Sequence, residues 1–445
     1  MIHSQTSLRL LDALLDAGPK GAHREALIRQ AKISTTSFYR VADDLLAEGL
    51  LEEQAGHYIL RLSHPCNFAF KLWRDQTKLL SLSPPLRSEI PALVDQIKEE
   101  FGANLLALWL HGSVVQHSLG PESDIDFLAI VRTEQDENVR ATRPVQLTLL
   151  QKNDFRQDWQ CGDGFLRAVL QHGLLLFDRA MAQEFYSQPF PESNPQALQE
   201  RDKIQERINS RLLFYIRETA WPDAQRGLKS LAVTIARSMI EPFGEIPAGK
   251  TDLLQALQIY FGAECADAVQ TCFDQVDENA GAFLRAKNEL QRLQEDFRKH
   301  IDHIKRMVVA MSGAGASFEH ASCDMLKVVF GDNAAGSGLR LPAGQVAIET
   351  KSLKGKFQKE HLRDLPELRP LIVVVNQLRE IPLSQRPELT PAQRAVGDEE
   401  GVILLDSREL LQLHNRILLA HSDSKMAENW ALQVLTHEPG DQTLI

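Results

Sequence analysis

The sequence predicts a multidomain α+β protein, and three observations lead there. Its 445 residues correspond to roughly three domains at the usual ~150 residues each. Its 43% hydrophobic and 24% charged residues are ordinary for globular chains. The periodicity of its apolar residues also changes character several times, from helical to mixed, to helical again, and back to mixed. Five stretches follow: 1–62, 63–102, 103–196, 197–310 and 311–445.

Composition sets limits on function. With 49 Lys and Arg against 60 Asp and Glu, the net charge of −11 excludes a wholly basic nucleic-acid coat, while a local basic patch stays open. No apolar window approaches the ~18–20 residues of a membrane span, so no membrane role is expected. Met1 to Thr6 lack a basic lead into an apolar core, and no signal peptide is expected. Cys66, Cys161, Cys265, Cys272 and Cys323 are odd in number and form no CxxC pair, which fits neither a disulfide framework nor a zinc site. A soluble cytoplasmic protein with reduced thiols is the expectation.

In 1–62, Leu8, Leu11, Leu14 and Leu15 mark a first helix, stopped by Gly18-Pro19, and Arg24 to Ala31 a second. Ser34 to Ser37 supply hydroxyl caps for a third helix through Phe38, Val41 and Leu45. A ribbon at 50–60, turning at Ala55-Gly56, completes the pattern of a winged helix-turn-helix. Its third helix would offer Ser37, Tyr39 and Arg40 to a groove, but it also carries Asp43 and Asp44. With seven Lys/Arg against eight Asp/Glu in 1–62, nucleic-acid binding and protein docking are equal readings. The connector 63–102 should break at Ser81 to Pro85 and continue as a helix through Ile90, Leu93, Val94, Ile97 and Phe101.

In 103–196, Leu105–Leu110, Ile125–Val131 and Val145–Leu150 read as strands. The first runs into the small-residue turn Gly112-Ser113, and the second is preceded by Asp124-Ile125-Asp126. Residues two apart on a strand share a face, so Asp124 and Asp126 project together and repel unless a cation bridges them. Hard Mg²⁺ prefers such oxygen ligands. Gly112 would let the backbone approach a phosphate and Ser113 would donate to one, a pattern suited to metal-assisted phosphoryl or nucleotidyl transfer.

His111-Gly112-Ser113 and Ser123-Asp124-Ile125-Asp126, with their apolar flanks, resemble the hG[GS]…DxD signature of the DNA polymerase β-type nucleotidyltransferases, nearest the minimal ones. The resemblance covers about residues 86–190. It implies Mg²⁺ (or Mn²⁺) on Asp124 and Asp126 and an NTP as substrate or ligand, held with Gly112 and Ser113. Active members usually add a third carboxylate on a later strand. Here Gln146 and Thr148 stand where it is expected, and Asp154 lies beyond the strand. The domain would therefore transfer weakly, borrow a carboxylate, or only bind nucleotide.

From 197 to 310 helical periodicity dominates, ending in a charged helix from Phe283 to Met307. Arg298 followed by His303 resembles the RNase motif of HEPN proteins, but Lys299 stands where Asn or Asp is usual, and a solvated helix end is the better reading. Trp73, Trp109 and Trp159 are expected in the core rather than as stacking platforms for bases.

After the Gly-rich 312–316, strands return at 345–349, 370–376 and 401–405. The first ends in Glu349-Thr350-Lys351, a carboxylate and an ammonium on one face, followed by Lys354, Lys356 and Lys359. Such a basic run suits a phosphate backbone. Helix, hairpin, ExK strand and two buried strands with helices resemble the PD-(D/E)XK restriction-endonuclease-like fold over about residues 311–425. That resemblance implies catalysis by Glu349 and Lys351, with Asp332, Glu349 and Glu319 around a metal and Lys354, Lys356 and Lys359 on nucleic acid.

The expected whole is a metal-dependent nucleotidyltransferase-like protein of nucleic-acid-linked regulation or prokaryotic antiviral defence, coupled to a C-terminal nuclease. Its partners would be an NTP, DNA or RNA, and a protein of a defence or toxin–antitoxin system. Two alternatives stand beside it: a nuclease whose transferase-like domain senses a nucleotide, and a non-catalytic DNA-binding regulator or antitoxin-like adaptor.

Overall fold

The computed structural model is a mixed α and β protein, mostly helical. It describes every residue except 1–3, 19–20, 55, 116–123, 134–144, 189, 192–194, 276–277, 312, 314–315, 331–333, 336–337, 342–343, 354–356, 363–370, 378, 380–382 and 421–445. Two compact units emerge: residues 1–203 with 246–249, and residues 204–245 with 250–445.

The first unit opens with α1 (Gln5–Ala17), capped by Ser4, whose hydroxyl accepts from the Ser7 amide. A two-residue strand β1 (Ala22–His23) leads into α2 (Arg24–Ala31). Then α3 (Thr35–Ala47) starts at the expected hydroxyl cap, Ser34 Oγ accepting from the Ser37 amide at 3.1 Å. The ribbon β2 (Leu51–Gln54) and β3 (His57–Leu60) follows, with β3 between β1 and β2, all antiparallel. Gly21 has φ +62°, and a Cβ there would lie 2.2 Å from the Tyr58 carbonyl oxygen, so only glycine lets the chain pass β3 this closely. Leu10, Leu11, Leu14, Leu27, Phe38 and Tyr58 close this core, and truncating the fully buried Phe38 to Ala would cost about 3–5 kcal/mol.

Two helices, α4 (Pro65–Leu79) and α5 (Pro84–Phe101), occupy the stretch read as a connector, with the break where Pro84 and Pro85 stand. They are packed against the sheet that follows. Buried Lys71 and Asp75 of α4 form an ion pair at 2.5 Å, and the same Asp75 oxygen accepts from the Leu175 amide at 2.9 Å. Lys71 Nζ also sits 4.8 Å from the ring centre of Tyr186, whose hydroxyl accepts from Trp109 Nε1.

The sheet contains β4 (Leu105–His111), β5 (Ile125–Val131) and β6 (Val145–Gln151), the three strands expected. After α6 (Lys152–Cys161) and α7 (Gly164–His172) comes a strand not foreseen, β7 (Leu174–Asp178), then α8 (Ala182–Tyr186). The order is β6-β5-β4-β7, with β5 and β6 parallel and the other pairs antiparallel. Period two divides β5: Ile125, Phe127 and Ala129 pack with α5, while Leu128 and Ile130 pack with Trp109, Phe155 and Phe68.

The second unit comprises α9 (Pro195–Arg217) from residue 204 on, α10 (Trp221–Ile240), α11 (Lys250–Phe261), α12 (Ala263–Asp274) and α13 (Ala280–Ala310). Asn279 caps α13, and the helix runs past the expected end at Met307, so Arg298 and His303 lie inside it and not at a solvated end. Beyond the Gly-rich stretch come α14 (Ala316–Phe330), β8 (Ala334–Ala335), β9 (Gly338–Leu341), β10 (Gly344–Ser352), β11 (Leu371–Asn376), α15 (Pro391–Glu399), β12 (Ile403–Asp406) and α16 (Ser407–Ala420). The strand order is β12-β11-β10-β9-β8, with β10, β11 and β12 parallel. Helices on both sides of the Gly-rich stretch share one core: Leu257 and Ile304 belong with Met325, Val374 and Leu411.

Candidate functional site

The turn after β4 and the start of β5 bring the expected residues together. Antiparallel register sets His111 opposite Asp126, and Gly112 and Ser113 form the single turn that follows. Asp126 shares the face of Leu128, and Asp124, two residues earlier, is exposed. His111 packs edge-on against Phe165 of α7, 5.4 Å between ring centres.

Gly112 has a role that sequence reasoning missed. Its φ is +76°, and a Cβ there would lie 2.2 Å from Asp126 Oδ2 and 3.1 Å from Asp126 Cγ. The missing side chain is thus a seat for the Asp126 carboxylate. The only signal in the sequence was a glycine after a strand, which equally suits the phosphate approach assigned to it.

Burial, and then the charge of Asp124, push the Asp126 carboxyl up to about 6. A half-buried carboxylate beside a second one is in deficit of positive charge. The donor set, hard oxygens two residues apart, fits Mg²⁺ or Mn²⁺. Parallel register pairs Asp126 with Gln146 of β6, and the sheet alternation puts both on the same face. The side chain beside Asp126 on β6 is therefore an amide. Asp154 lies in the first turn of α6, beyond the end of β6. Among the described residues, no three His, Cys, Asp or Glu side chains gather into a metal-binding group. Among the described residues, Asp124 and Asp126 are the carboxylates that would meet an ion here.

In the second unit, Glu349 and Lys351 lie on β10, the central strand, in register with Val373 and Val375. They share a face, as expected, and pair with each other at 3.5 Å. Glu319 is exposed on α14. Asp332, Lys354 and Lys356 fall outside the described residues. Lys359 forms ion pairs with Glu399 at 3.2 Å and Glu400 at 3.0 Å. Arg40 is exposed on α3, with Asp43 and Asp44 exposed one turn on. Trp109 and Trp159 are core residues as expected, but Trp73 is 54% exposed. Its α4 buries Phe68, Phe70 and Lys71, and Trp73 falls between those positions and Asp75 on the outer face.

No family model matches the chain, and no curated protein is similar to it.

Proposed function

We propose that residues 63–196 form a polymerase-β-type nucleotidyltransferase-like domain that binds an NTP through a divalent cation, preceded by a winged helix in 1–62. The observation that carries this reading is the seating of Asp126 against Gly112, with Asp124 beside it. Asp124 and Asp126 would hold Mg²⁺ or Mn²⁺, and the ion would supply charge neutralisation for a triphosphate. Gly112 keeps the Asp126 carboxylate in place, and Ser113 is in the turn from which its hydroxyl would meet a phosphate oxygen.

Gln146 favours nucleotide binding over fast transfer. An amide neither joins a second cation as an anionic ligand nor takes a proton from an attacking hydroxyl at neutral pH. In nucleic-acid-linked regulation or defence, such a domain would act as a slow transferase or as a nucleotide sensor. The test is incubation of the full chain with labelled NTPs, Mg²⁺, total RNA and total protein. Slow, Asp124-dependent labelling supports transfer; labelling that survives Asp124→Ala places the chemistry elsewhere.

A second reading concerns β10. Glu349 and Lys351, paired on the central strand of a mixed sheet, support a restriction-endonuclease-like domain in which the lysine would stabilise an attacked phosphate. The protein would then be a nuclease governed by a nucleotide site.

A further inference from the structure

The second unit holds a histidine pair that no part of the proposed function uses. Nε2 of His303, on α13, lies 3.0 Å from Nε2 of His414, on α16, and His414 is fully buried. The hydrogen-bond partners around them set every proton. Asn415 Nδ2 donates to the Tyr260 carbonyl at 2.7 Å, and because a carbonyl only accepts, the Asn415 amide orientation is determined. Its Oδ1 therefore accepts, at 2.8 Å, from His414 Nδ1, which must carry a proton. On the other side, Arg306 Nη2 is 3.4 Å from His303 Nδ1, and a guanidinium only donates. His303 Nδ1 is thus an acceptor, and its ring proton sits on Nε2. The chain runs one way: Arg306 to His303, His303 to His414, His414 to Asn415, Asn415 to Tyr260.

Such a chain is complete only with both rings neutral. A second proton on His414 would set two N–H groups head to head at 3.0 Å; a second proton on His303 would face the Arg306 guanidinium. We infer that the His303–His414 pair is a pH-sensitive latch, fastening α16 to α13 when both rings are neutral and releasing it when either ring takes up a second proton.

The surrounding charges agree with this. From α13, His300 and Arg306 face the pair and oppose a positive charge; from α14, Asp324 favours one; α11 contributes the Tyr260 carbonyl. Burial dominates for both rings, lowering His303 and lowering His414 to about 4. For a histidine held below its unfolded value of ~6.5, stability is present at neutral pH and lost as pH falls from ~6.5 toward about 4. Between pH 7.5 and pH 5.0, His414 alone should lower the folded-to-unfolded ratio by about 30-fold.

The test is urea unfolding of the full chain at both pH values, wild type against His414→Gln. Glutamine can accept from His303 Nε2 and does not titrate. The acid-induced loss should be about 30-fold smaller in the variant, because contributions common to both proteins cancel. Equal losses would overturn the latch. The wild-type imidazole ¹⁵N spectrum decides independently of the variant's folding: His414 should remain neutral, protonated on Nδ1, at pH 5.0 in the folded protein. A His414 ring that titrates near 6.5 while the protein stays folded would also overturn it. His303→Gln preserves the direction of the chain, since its amide can accept from Arg306 and donate to His414, so that variant should fold and keep the acid sensitivity due to His414.

Discussion

The carboxylate of Asp126 occupies the space that a side chain at position 112 would fill: a Cβ on Gly112 would stand 2.2 Å from Asp126 Oδ2. This relation ties the turn after β4 to the first residues of β5. It makes Gly112→Ala a probe of the site and not of the core. The substitution should cost about 1–2 kcal/mol for placing alanine at φ +76°, read by urea unfolding. It should also swing the carboxylate away and weaken Mg²⁺–NTP binding at least tenfold, read by calorimetry. Unchanged nucleotide affinity in a destabilised variant would separate the glycine from the site.

Asp126→Asn tests the charge deficit. The carboxyl is raised from 3.8 to about 6, so its contribution favours folding below ~3.8 and is lost as pH rises through about 6. At pH 7.5, without metal, the isosteric amide should therefore stabilise the protein by about 1–2 kcal/mol, after discounting for the group's partial exposure. With excess Mg²⁺ and nucleotide the ranking should reverse, because only the wild type gains ligand stabilisation. Thermal melts with and without Mg²⁺–NTP report both halves.

Gln146 sits beside Asp126 in the β5–β6 register, so Gln146→Asp adds a carboxylate on the same face. Divalent affinity should rise and any labelled-NTP transfer should accelerate, while the metal-free protein becomes less stable through a third like charge. A variant with no gain in metal affinity would show that the β6 position does not reach the ion.

Lys71 and Asp75 are buried with each other and with the Leu175 amide. Removing one partner leaves a desolvated charge, so Lys71→Met should cost about 3–5 kcal/mol. Lys71→Met with Asp75→Asn should cost clearly less, since the amide oxygen can still accept from Leu175. Denaturation of these two variants and of Asp75→Asn alone completes the cycle; additive losses would mean the pair is not coupled.

Much of this site was legible because its signals are local. The alternation around Asp124 and Asp126, the Gly112-Ser113 turn and the serine cap at Ser34 each lie within a few residues of what they determine. β7 was missed because Leu174-Leu175-Leu176-Phe177 is a short, wholly apolar run, which periodicity alone cannot distinguish from buried helix. The packing of α4 depends on the amide of Leu175, a hundred residues from Asp75, and nothing in the sequence near either residue signals the other. His303 and His414 are 111 residues apart, and nothing near either one signals the other.

On the proposed function, Asp124 and Asp126 anchor a metal-bound nucleotide. The most direct measurement is calorimetric titration of the full chain with a non-hydrolysable NTP, with and without Mg²⁺, in the wild type and in Asp124→Ala/Asp126→Ala. Binding should require Mg²⁺ in the wild type and vanish in the folded double variant, since the triphosphate's ion loses both carboxylates. An unchanged Mg²⁺–NTP affinity in that variant would place nucleotide binding away from these two carboxylates.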